Sequence, residues 1–259
     1  MTVEIQTGSD EAGSQRSAVP IDVGGASAAM GRFDVTLHLA WLAGVVLMAC
    51  HGAGLWSLAQ MRSWVDAVAA GANVEPLPPT YDLLANVSLY GGIVAWLACF
   101  TAFFAAMYQA RRLATAVGVR DYSHSFLWTV ITLFIPFLNL YRPWVGLDEI
   151  RRSVIGTAQT ERPSADGDMT AFTYALAATI IVGGVGARWT SRLADNLEKT
   201  VGAISGPTEL SVYLSKFVDF AMMEAAIAAA MVSVPVLYLA TLRPHAVRLA
   251  RQAHASTHG

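Results

Sequence analysis

The chain has 259 residues, of which 54% are hydrophobic and only 14% are charged, and its mean hydropathy is +0.45. This composition, with the apolar residues gathered into long blocks, excludes an ordinary water-soluble domain and indicates a polytopic membrane protein. The net charge of −2 at pH 7 says little about partners, because in a membrane protein the informative quantity is the distribution of charge across the bilayer.

The first 33 residues form a polar segment that precedes the apolar blocks. They are rich in Gly, Ser and Ala, and they lack the basic beginning of a signal peptide. Such a segment cannot bury enough apolar surface to fold alone. We therefore expect a disordered tail over residues 1–33, a single transmembrane helical domain over residues 34–251 and a short C-terminal tail over residues 252–259.

Four apolar stretches are long enough to cross a bilayer, whose hydrocarbon core takes about 20 residues of α-helix. They lie at residues 35–58, 84–108, 171–190 and 222–242. In the last three, small residues recur at every fourth position, a pattern that lets two helices approach closely in lipid. We predict an all-α bundle in which the third and fourth spans form a tight antiparallel hairpin. A homodimer stays open as an alternative use of the small residues.

A fifth apolar block, residues 126–140, is shorter and is broken at Pro136. If this block enters and leaves on one side, with a cytoplasmic N-terminus, the cytoplasmic side holds twelve Lys and Arg and the other side five. If the block crosses, the division is nine against eight. The positive-inside rule favours the first arrangement. We therefore predict four full spans, a re-entrant fifth block and two cytoplasmic chain termini.

A new helix is predicted after this break. Pro143 suits the first turn of a helix, and the apolar and charged residues that follow fall on opposite helix faces. The apolar stripe comprises Trp144, Leu147, Ile150, Val154 and Ile155, and the charged face comprises Asp148, Glu149, Arg151 and Arg152. We expect an amphipathic helix on the cytoplasmic surface of the membrane.

The break itself carries a specific pattern of residues. It reads Pro136-x-x-Asn139-Leu140-x-Arg142-Pro143, followed by Glu149 and Ile150. With the upstream stretch "YQARRLATAVG" and Trp128, it resembles the bacterial family called domain of unknown function 4328. The resemblance covers roughly residues 85–245, although the specific motif is confined to a short part of that range. It implies a multi-helix protein of the bacterial plasma membrane with no established activity.

A basic cluster is the first candidate site. Arg111 and Arg112 follow the second span directly, and Asn139, Arg142, Asp148 and Glu149 belong to the break and to the helix after it. Arg151 and Arg152 of the same helix are further candidates for contact with lipid or a partner. Three roles are open for this cluster: a lock that holds the re-entrant block through ion pairs, a site for anionic lipid head groups, or a docking site for a protein partner. The lock is favoured, because broken helical backbone at membrane depth needs polar partners such as the side chains of the break.

A polar pocket near the outer membrane boundary is the second candidate site. Counting residues along each span places His51, Asn86, Ser88, Tyr90, Arg188 and Glu224 at similar depth. Arg188 and Glu224 could form an ion pair, and the group could line a pocket for a solute or ion. Alternatively, each residue only satisfies a neighbouring backbone or interfacial group. His51 is the member of the group that changes charge near neutral pH.

No motif for catalysis, metal binding or a cofactor is found. HExxH, GxSxG and a P-loop are missing. His38 and His51 share one span, but no other span supplies histidines for haem. We therefore expect a non-catalytic membrane module without a cofactor or a nucleic-acid partner, whose cytoplasmic surface binds lipid or a protein. The alternative is a permease or sensor for a small solute or ion that uses the outer pocket.

Overall fold

The computed structural model of the protein is a bundle of long helices. It describes residues 21–73, 75, 79–118, 122, 125–134, 142–156, 178, 199 and 206–255. Every regular element within these residues is helical, and three of the helices are long and apolar enough to cross a membrane. The predicted all-α class is therefore confirmed, and the three long apolar helices are those expected of a membrane protein.

The described helices are numbered here in chain order. They are α1 (Val23–Ala69), α2 (Thr80–Ala116), α3 (Phe126–Ile131, followed by a 3₁₀ turn Thr132–Phe134), α4 (Arg142–Gly156) and α5 (Pro207–Ala255). The predicted spans at 35–58, 84–108 and 222–242 lie within α1, α2 and α5, respectively. The predicted span at 171–190 lies outside the described residues, apart from the helical residue Ala178.

Asp22 connects the beginning of α1 to the end of α2. Its carboxylate caps α1 by accepting a hydrogen bond from the Gly25 amide at 2.8 Å. Its own amide donates to the carbonyl of Ala116 at 2.9 Å. Gly118 then takes a φ of +103°, which ends α2 in the left-handed region that glycine adopts without strain.

Residues 23–33 differ from the predicted disordered tail. They form the first turns of α1, and Ala26, Ala29 and Phe33 are at most 3% exposed. Small and apolar residues at i, i+3 and i+7 face the bundle, while glycine, serine and a mixture of other residues occupy the remaining positions. The high content of Gly, Ser and Ala in residues 1–33 led to the prediction of a disordered tail and hid this helical spacing. Residues 1–20 lie outside the described part of the chain.

α5 is a single helix of 49 residues with Pro235 and Pro244 inside it. It continues to Ala255, past the predicted domain boundary at residue 251, and Ala253 in this extension is fully buried. The start of the predicted C-terminal tail therefore belongs to the packed bundle.

α1 packs antiparallel to α5 along most of its length. Asp34 near the beginning of α1 pairs with Arg243 of α5, with 2.7 Å between Oδ1 and Nε. Near the other end of α1, Asp66 accepts a hydrogen bond from Ser211. The two contacts fix the register of the helices and bring the beginning of α1 to the end of α5.

α2 packs against α1 in the same antiparallel sense. The Tyr81 hydroxyl, at the beginning of α2, donates to Met61 Sδ at 3.0 Å, and Cys99 Sγ lies 3.7 Å from the carbonyl oxygen of Ala40. With the bond between Asp22 and Ala116, these contacts place the end of α2 beside the beginning of α1. One end of the bundle therefore holds the beginning of α1, the end of α2 and the end of α5.

Charge divides the two ends of the bundle. Apart from Lys199, the described charged residues divide between the two ends of the bundle. Nine arginines and four acids lie at the end just defined, which we call the arginine end, and two basic residues and six acids lie at the opposite, acidic end. The arginine end comprises Arg32, Arg111, Arg112, Arg142, Arg151, Arg152, Arg243, Arg248 and Arg251 with Asp22, Asp34, Asp148 and Glu149, and the acidic end comprises Arg62 and Lys216 with Asp66, Glu75, Asp82, Glu209, Asp219 and Glu224.

Between the two ends lies an apolar zone without Asp, Glu, Lys or Arg. It covers residues 35–61 of α1, 83–110 of α2 and 225–242 of α5. At the helical rise, its shortest stretch spans about 27 Å, close to the ~30 Å of a bilayer core. Large apolar side chains face outward here, including Trp41 and Trp56 at 59% and 62% exposure. This zone has the surface of a membrane-embedded bundle.

The densest packing lies toward the arginine end. The main core joins the end of α2, the end of α5 and α4, with Met107, Leu113, Leu242 and Leu249 fully buried. A smaller core near the middle of the apolar zone contains Leu47, Ala95, Cys99 and Val232. The bundle is therefore tightly packed at one end and looser toward the other.

The predicted apolar stripe of α4 is buried, but it is buried against protein. Trp144, Leu147, Ile150, Val154 and Ile155 are at most 8% exposed and belong to the main core. The stripe is therefore part of the bundle core, and the cytoplasmic position of this helix stays a prediction. The ends of α2 and α5 continue past the apolar zone and offer α4 an apolar surface of their own.

The close approach of α1 and α5 at Gly44 yields the first prediction. A Cβ at Gly44 would lie 2.6 Å from Val232 Cγ1, whereas a Cβ at Gly52 on the same helix meets no atom within 4 Å. We expect Gly44→Ala to be less stable than Gly52→Ala by about 1–3 kcal/mol, because it overpacks the interface. Unfolding of the two purified variants in a denaturing detergent series measures this difference. Equal stabilities would contradict the packing of α1 on α5.

Candidate functional site

A buried ion pair holds the middle of α4. Arg151 is 0% exposed, and its Nε and Nη2 both lie 2.7 Å from Oδ1 of Asp148. The other carboxylate oxygen of Asp148 lies 2.7 Å from Nε of Arg152, whose side chain is 67% exposed. Asp148 therefore connects an arginine in the core to an arginine at the surface.

Arg151 was predicted on the charged outer face of α4 as a lipid or partner contact. That assignment is wrong, because a fully buried guanidinium cannot contact an external head group. Its position between Leu147 and Ile155 on the buried side of the helix requires a buried counter-charge, and Asp148 supplies one. The residue has further partners among its neighbours.

Arg111 holds the connection that follows α2. Its guanidinium carbon lies 4.1 Å above the ring of Tyr122, within cation–π range. The Tyr122 hydroxyl donates to the Arg111 carbonyl at 3.5 Å and hydrogen-bonds with the side chains of Ser153 and Thr115. Burial raises the pKa of this hydroxyl, and the hydrogen bonds and the Arg111 charge oppose that shift. Since the pKa stays above its ordinary value, the hydroxyl keeps its proton near neutral pH and ties α2 to α4.

The remaining residues of the basic cluster face outward. Arg112, Arg142 and Arg152 are exposed. Arg142 also makes contacts with its neighbours. The cluster therefore divides into a structural part, formed by Arg111 and Arg151, and an exposed part that can reach external anions.

The motif residues of the break are only partly described. Pro136 and Asn139 lie outside the described residues. Pro143 is buried at the beginning of α4, as expected for a proline in a first helical turn, and Glu149 is half-buried with partners of its own. Thr129 of α3 packs against the backbone of Gly146, so α3 and α4 lie together at the arginine end.

A cavity of about 810 Å³ opens between α1, α2 and α5 in the half of the bundle toward the acidic end. Most of its walls are apolar, and five polar side chains line it: His51, Ser57, Tyr81, Ser88 and Glu224. Pockets for organic ligands have this size and this excess of apolar wall.

Three of these polar groups already have partners inside the protein. Ser57 Oγ donates to the Gly54 carbonyl at 2.8 Å, and Tyr81 donates to Met61 Sδ. His51 Nδ1 lies 3.0 Å from the Leu47 carbonyl oxygen. A carbonyl oxygen only accepts, so Nδ1 carries the proton and Nε2 of the neutral ring is an acceptor.

The cavity brings together three of the six residues predicted for the outer pocket. His51, Ser88 and Glu224 line it. Asn86 and Tyr90 are exposed and do not line it. Arg188 lies outside the described residues, so its predicted ion pair with Glu224 stays a prediction.

Of the polar residues of α2 predicted at this depth, Ser88 lines the cavity, whereas Asn86 and Tyr90 lie on another face of the helix. Counting residues gives depth, whereas the face depends on rotation about the helix axis. A π-helical turn at Val87–Gly91 changes that rotation by one residue. A usable signal was the spacing of Tyr81, Ala85, Ser88 and Gly92, which follow one another at intervals of three or four residues and all line the cavity.

The arginine end and the cavity offer different chemical groups to a ligand. The arginine end offers exposed guanidinium groups that can bind phosphate oxygens. The cavity offers an apolar volume with a carboxylate. Within the described residues, no three His, Cys, Asp or Glu side chains are placed to hold a metal ion.

The buried ion pair yields the second prediction. Asp148→Asn leaves the Arg151 guanidinium buried opposite a neutral group, and we expect a loss of about 3–5 kcal/mol of stability. Arg152→Gln removes the exposed partner of the same carboxylate and costs less than about 1 kcal/mol. Thermal unfolding of the two purified variants separates these effects. Similar losses in both would contradict the assignment of Arg151 to the core.

Comparisons with known proteins add no further information on this site. The chain matches no protein-family model, and neither the curated proteins nor the solved structures contain a significant match. The geometry above is therefore the basis for a functional proposal, and the resemblance to the bacterial family stays a prediction from the residue pattern at the break.

Proposed function

We propose that the protein is a non-catalytic membrane module of the bacterial plasma membrane, and that the exposed arginines at its cytoplasmic end bind anionic lipid head groups. The observation that carries this proposal is the division of charge between the two ends of the bundle. Four full spans, a re-entrant block at residues 126–140 and two cytoplasmic termini form part of the proposal.

The order of the helices supports this topology. α2 ends at the arginine end, and α3 and α4 pack there as well. α5 begins at the acidic end, where Ser211 contacts Asp66. A crossing by the predicted span at 171–190 is compatible with these two positions, because it connects α4 at the arginine end to α5 at the acidic end. The described residues on both sides of the break, in α3 and α4, lie at the arginine end, and this supports a block that enters and leaves on one side.

Charge supports the proposed orientation. Arginines are concentrated next to the cytoplasmic ends of membrane spans, and nine of the described arginines lie at one end of this bundle. Both described termini, Val23 of α1 and Ala255 of α5, belong to that end. The arginine end is therefore assigned to the cytoplasm.

The depth of the exposed arginines supports lipid binding. Arg112 lies two residues beyond the apolar zone of α2, and Arg243 lies directly beyond that of α5. Side chains at this level reach the phosphates of the membrane surface, and each basic residue near an anionic surface contributes about 1 kcal/mol. Arg152 adds an exposed guanidinium from α4.

A second candidate function is a permease or sensor for a small solute or ion. The observation that favours it is the cavity near the acidic end, which places His51 and Glu224 on one internal surface. A binding cavity is the first requirement of either activity, whereas transport also requires a path to the other side. Flux of a solute into proteoliposomes distinguishes a permease from a binding module.

The topology yields the third prediction. In a variant whose Cys50 and Cys99 are replaced by Ala, single cysteines are introduced at the exposed residues Ala72, Thr208 and Ala255. We expect a membrane-impermeant maleimide to label Ala72→Cys and Thr208→Cys in intact cells, and to label Ala255→Cys only after lysis. Labelling of Ala72→Cys and Ala255→Cys from the same side would overturn the proposed topology.

Lipid binding yields the fourth prediction. The double variant Arg112→Gln/Arg152→Gln loses two surface charges worth about 2 kcal/mol together, so its affinity for phosphatidylglycerol falls about 30-fold. Titration of the detergent-purified protein with phosphatidylglycerol and with phosphatidylcholine measures the effect.

The matched control for this titration removes two charges from the opposite end. Arg62→Gln/Lys216→Gln retains the wild-type preference for phosphatidylglycerol. If the two double variants have the same affinity for phosphatidylglycerol, the proposed lipid binding at the arginine end is wrong. Binding of a protein partner is then the remaining hypothesis for the exposed arginines.

A further inference from the structure

We propose that the cavity between α1, α2 and α5 binds an amphipathic organic cation, whose charge is balanced by Glu224. This inference concerns the half of the bundle away from the exposed arginines and does not depend on lipid binding there. It also does not require transport, since it assigns a ligand to the cavity and nothing more.

The shape of the cavity favours an apolar ligand body. A volume of about 810 Å³ is far larger than an inorganic ion or a few water molecules need. Its walls toward the membrane centre are formed by Leu47, Trp96 and Met231, and Phe217 lies toward the acidic end. A ligand that fills this space must bury apolar surface, at about 25 cal/mol per Å².

The polar groups in the cavity favour a positive charge. Glu224 makes no hydrogen bond or ion pair with another described residue, and it lies on α5 between Phe217 and Met231. We therefore take the ligand, and not the predicted partner Arg188, as the counter-charge of Glu224. The free ring nitrogen of His51 is an acceptor in the neutral ring, and the Ser88 hydroxyl accepts as well. Acceptors of this kind suit a cation or an N–H donor and disfavour an anion.

The composition of the lining strengthens this preference. No Lys or Arg belongs to the described residues that line the cavity. Trp96, Tyr81 and Phe217 present aromatic rings, which attract cations through their faces. Glu224 is exposed at the edge of the apolar zone and lines the cavity together with apolar and aromatic residues, an arrangement complementary to a molecule with one positive charge and an apolar body.

The experiment compares two probes of nearly equal size and opposite charge. The full-length protein is placed in phosphatidylcholine nanodiscs, and binding of tetraphenylphosphonium and of tetraphenylborate is measured against empty nanodiscs. We expect saturable binding of the phosphonium cation and no saturable binding of the borate anion. Equal binding of the two probes, or no saturable binding of the cation, would overturn the inference.

Variants at the cavity sharpen the test. Glu224→Gln reduces the affinity for tetraphenylphosphonium at least tenfold, while Glu224→Asp, which keeps the charge, changes it less. Asp219→Asn removes a carboxylate from the same helix at an exposed position outside the lining and leaves binding unchanged. Wild-type affinity in Glu224→Gln contradicts the proposed counter-charge.

A second variant fills the cavity without changing its charge. Ala228 lines the cavity, and Ala228→Trp occupies part of the volume and abolishes cation binding. Thermal unfolding establishes that each variant is folded. The variant Arg112→Gln/Arg152→Gln binds the cation as the wild type does, so a failure at the cavity and a failure of lipid binding at the arginine end are distinguishable.

Discussion

The antiparallel packing of α1 between α2 and α5 is the constraint on which the rest of the structure depends. Contacts at both ends fix its register: Asp34 meets Arg243 at one end, and Asp66 meets Ser211 at the other. This register aligns the charge-free stretches of three helices into one apolar zone. It also collects arginines at one end and acids at the other, so the division of charge that suggests a membrane orientation follows from helix packing.

Packing density differs between the two halves of the bundle, and each candidate site follows from that difference. At the arginine end, α4 covers the projecting ends of α2 and α5 and buries Arg151 with Asp148, so part of the basic cluster serves the fold. Toward the acidic end no described element covers the space between α1, α2 and α5, and an apolar cavity with Glu224 remains. Among the described residues, the main core and the cavity therefore lie in opposite halves of the bundle.

The sequence identified several residues of the cavity and of the arginine end, but it did not predict what each side chain contacts. His51 and Glu224 were placed at a common depth because residue number along a helix converts directly into distance. Asn86 and Tyr90 lie at the predicted depth, but on a face of α2 that does not line the cavity. Arg151 was assigned to the surface by its charge, although its place in the helical period puts it beside the core. A charged side chain is usually exposed to water, but Arg151 is buried because it forms an ion pair with Asp148.

The sequence by itself determined the all-α class, three helices that are long and apolar enough to cross a membrane, and the apolar stripe of α4, because these depend on hydropathy and helical period. Tertiary structure decided what the stripe of α4 contacts, where α1 begins, and which polar residues share a cavity. The physical reason is that local sequence specifies which face of a helix is apolar. Whether lipid, another helix or open space lies against that face is settled only when the helices take their register against one another.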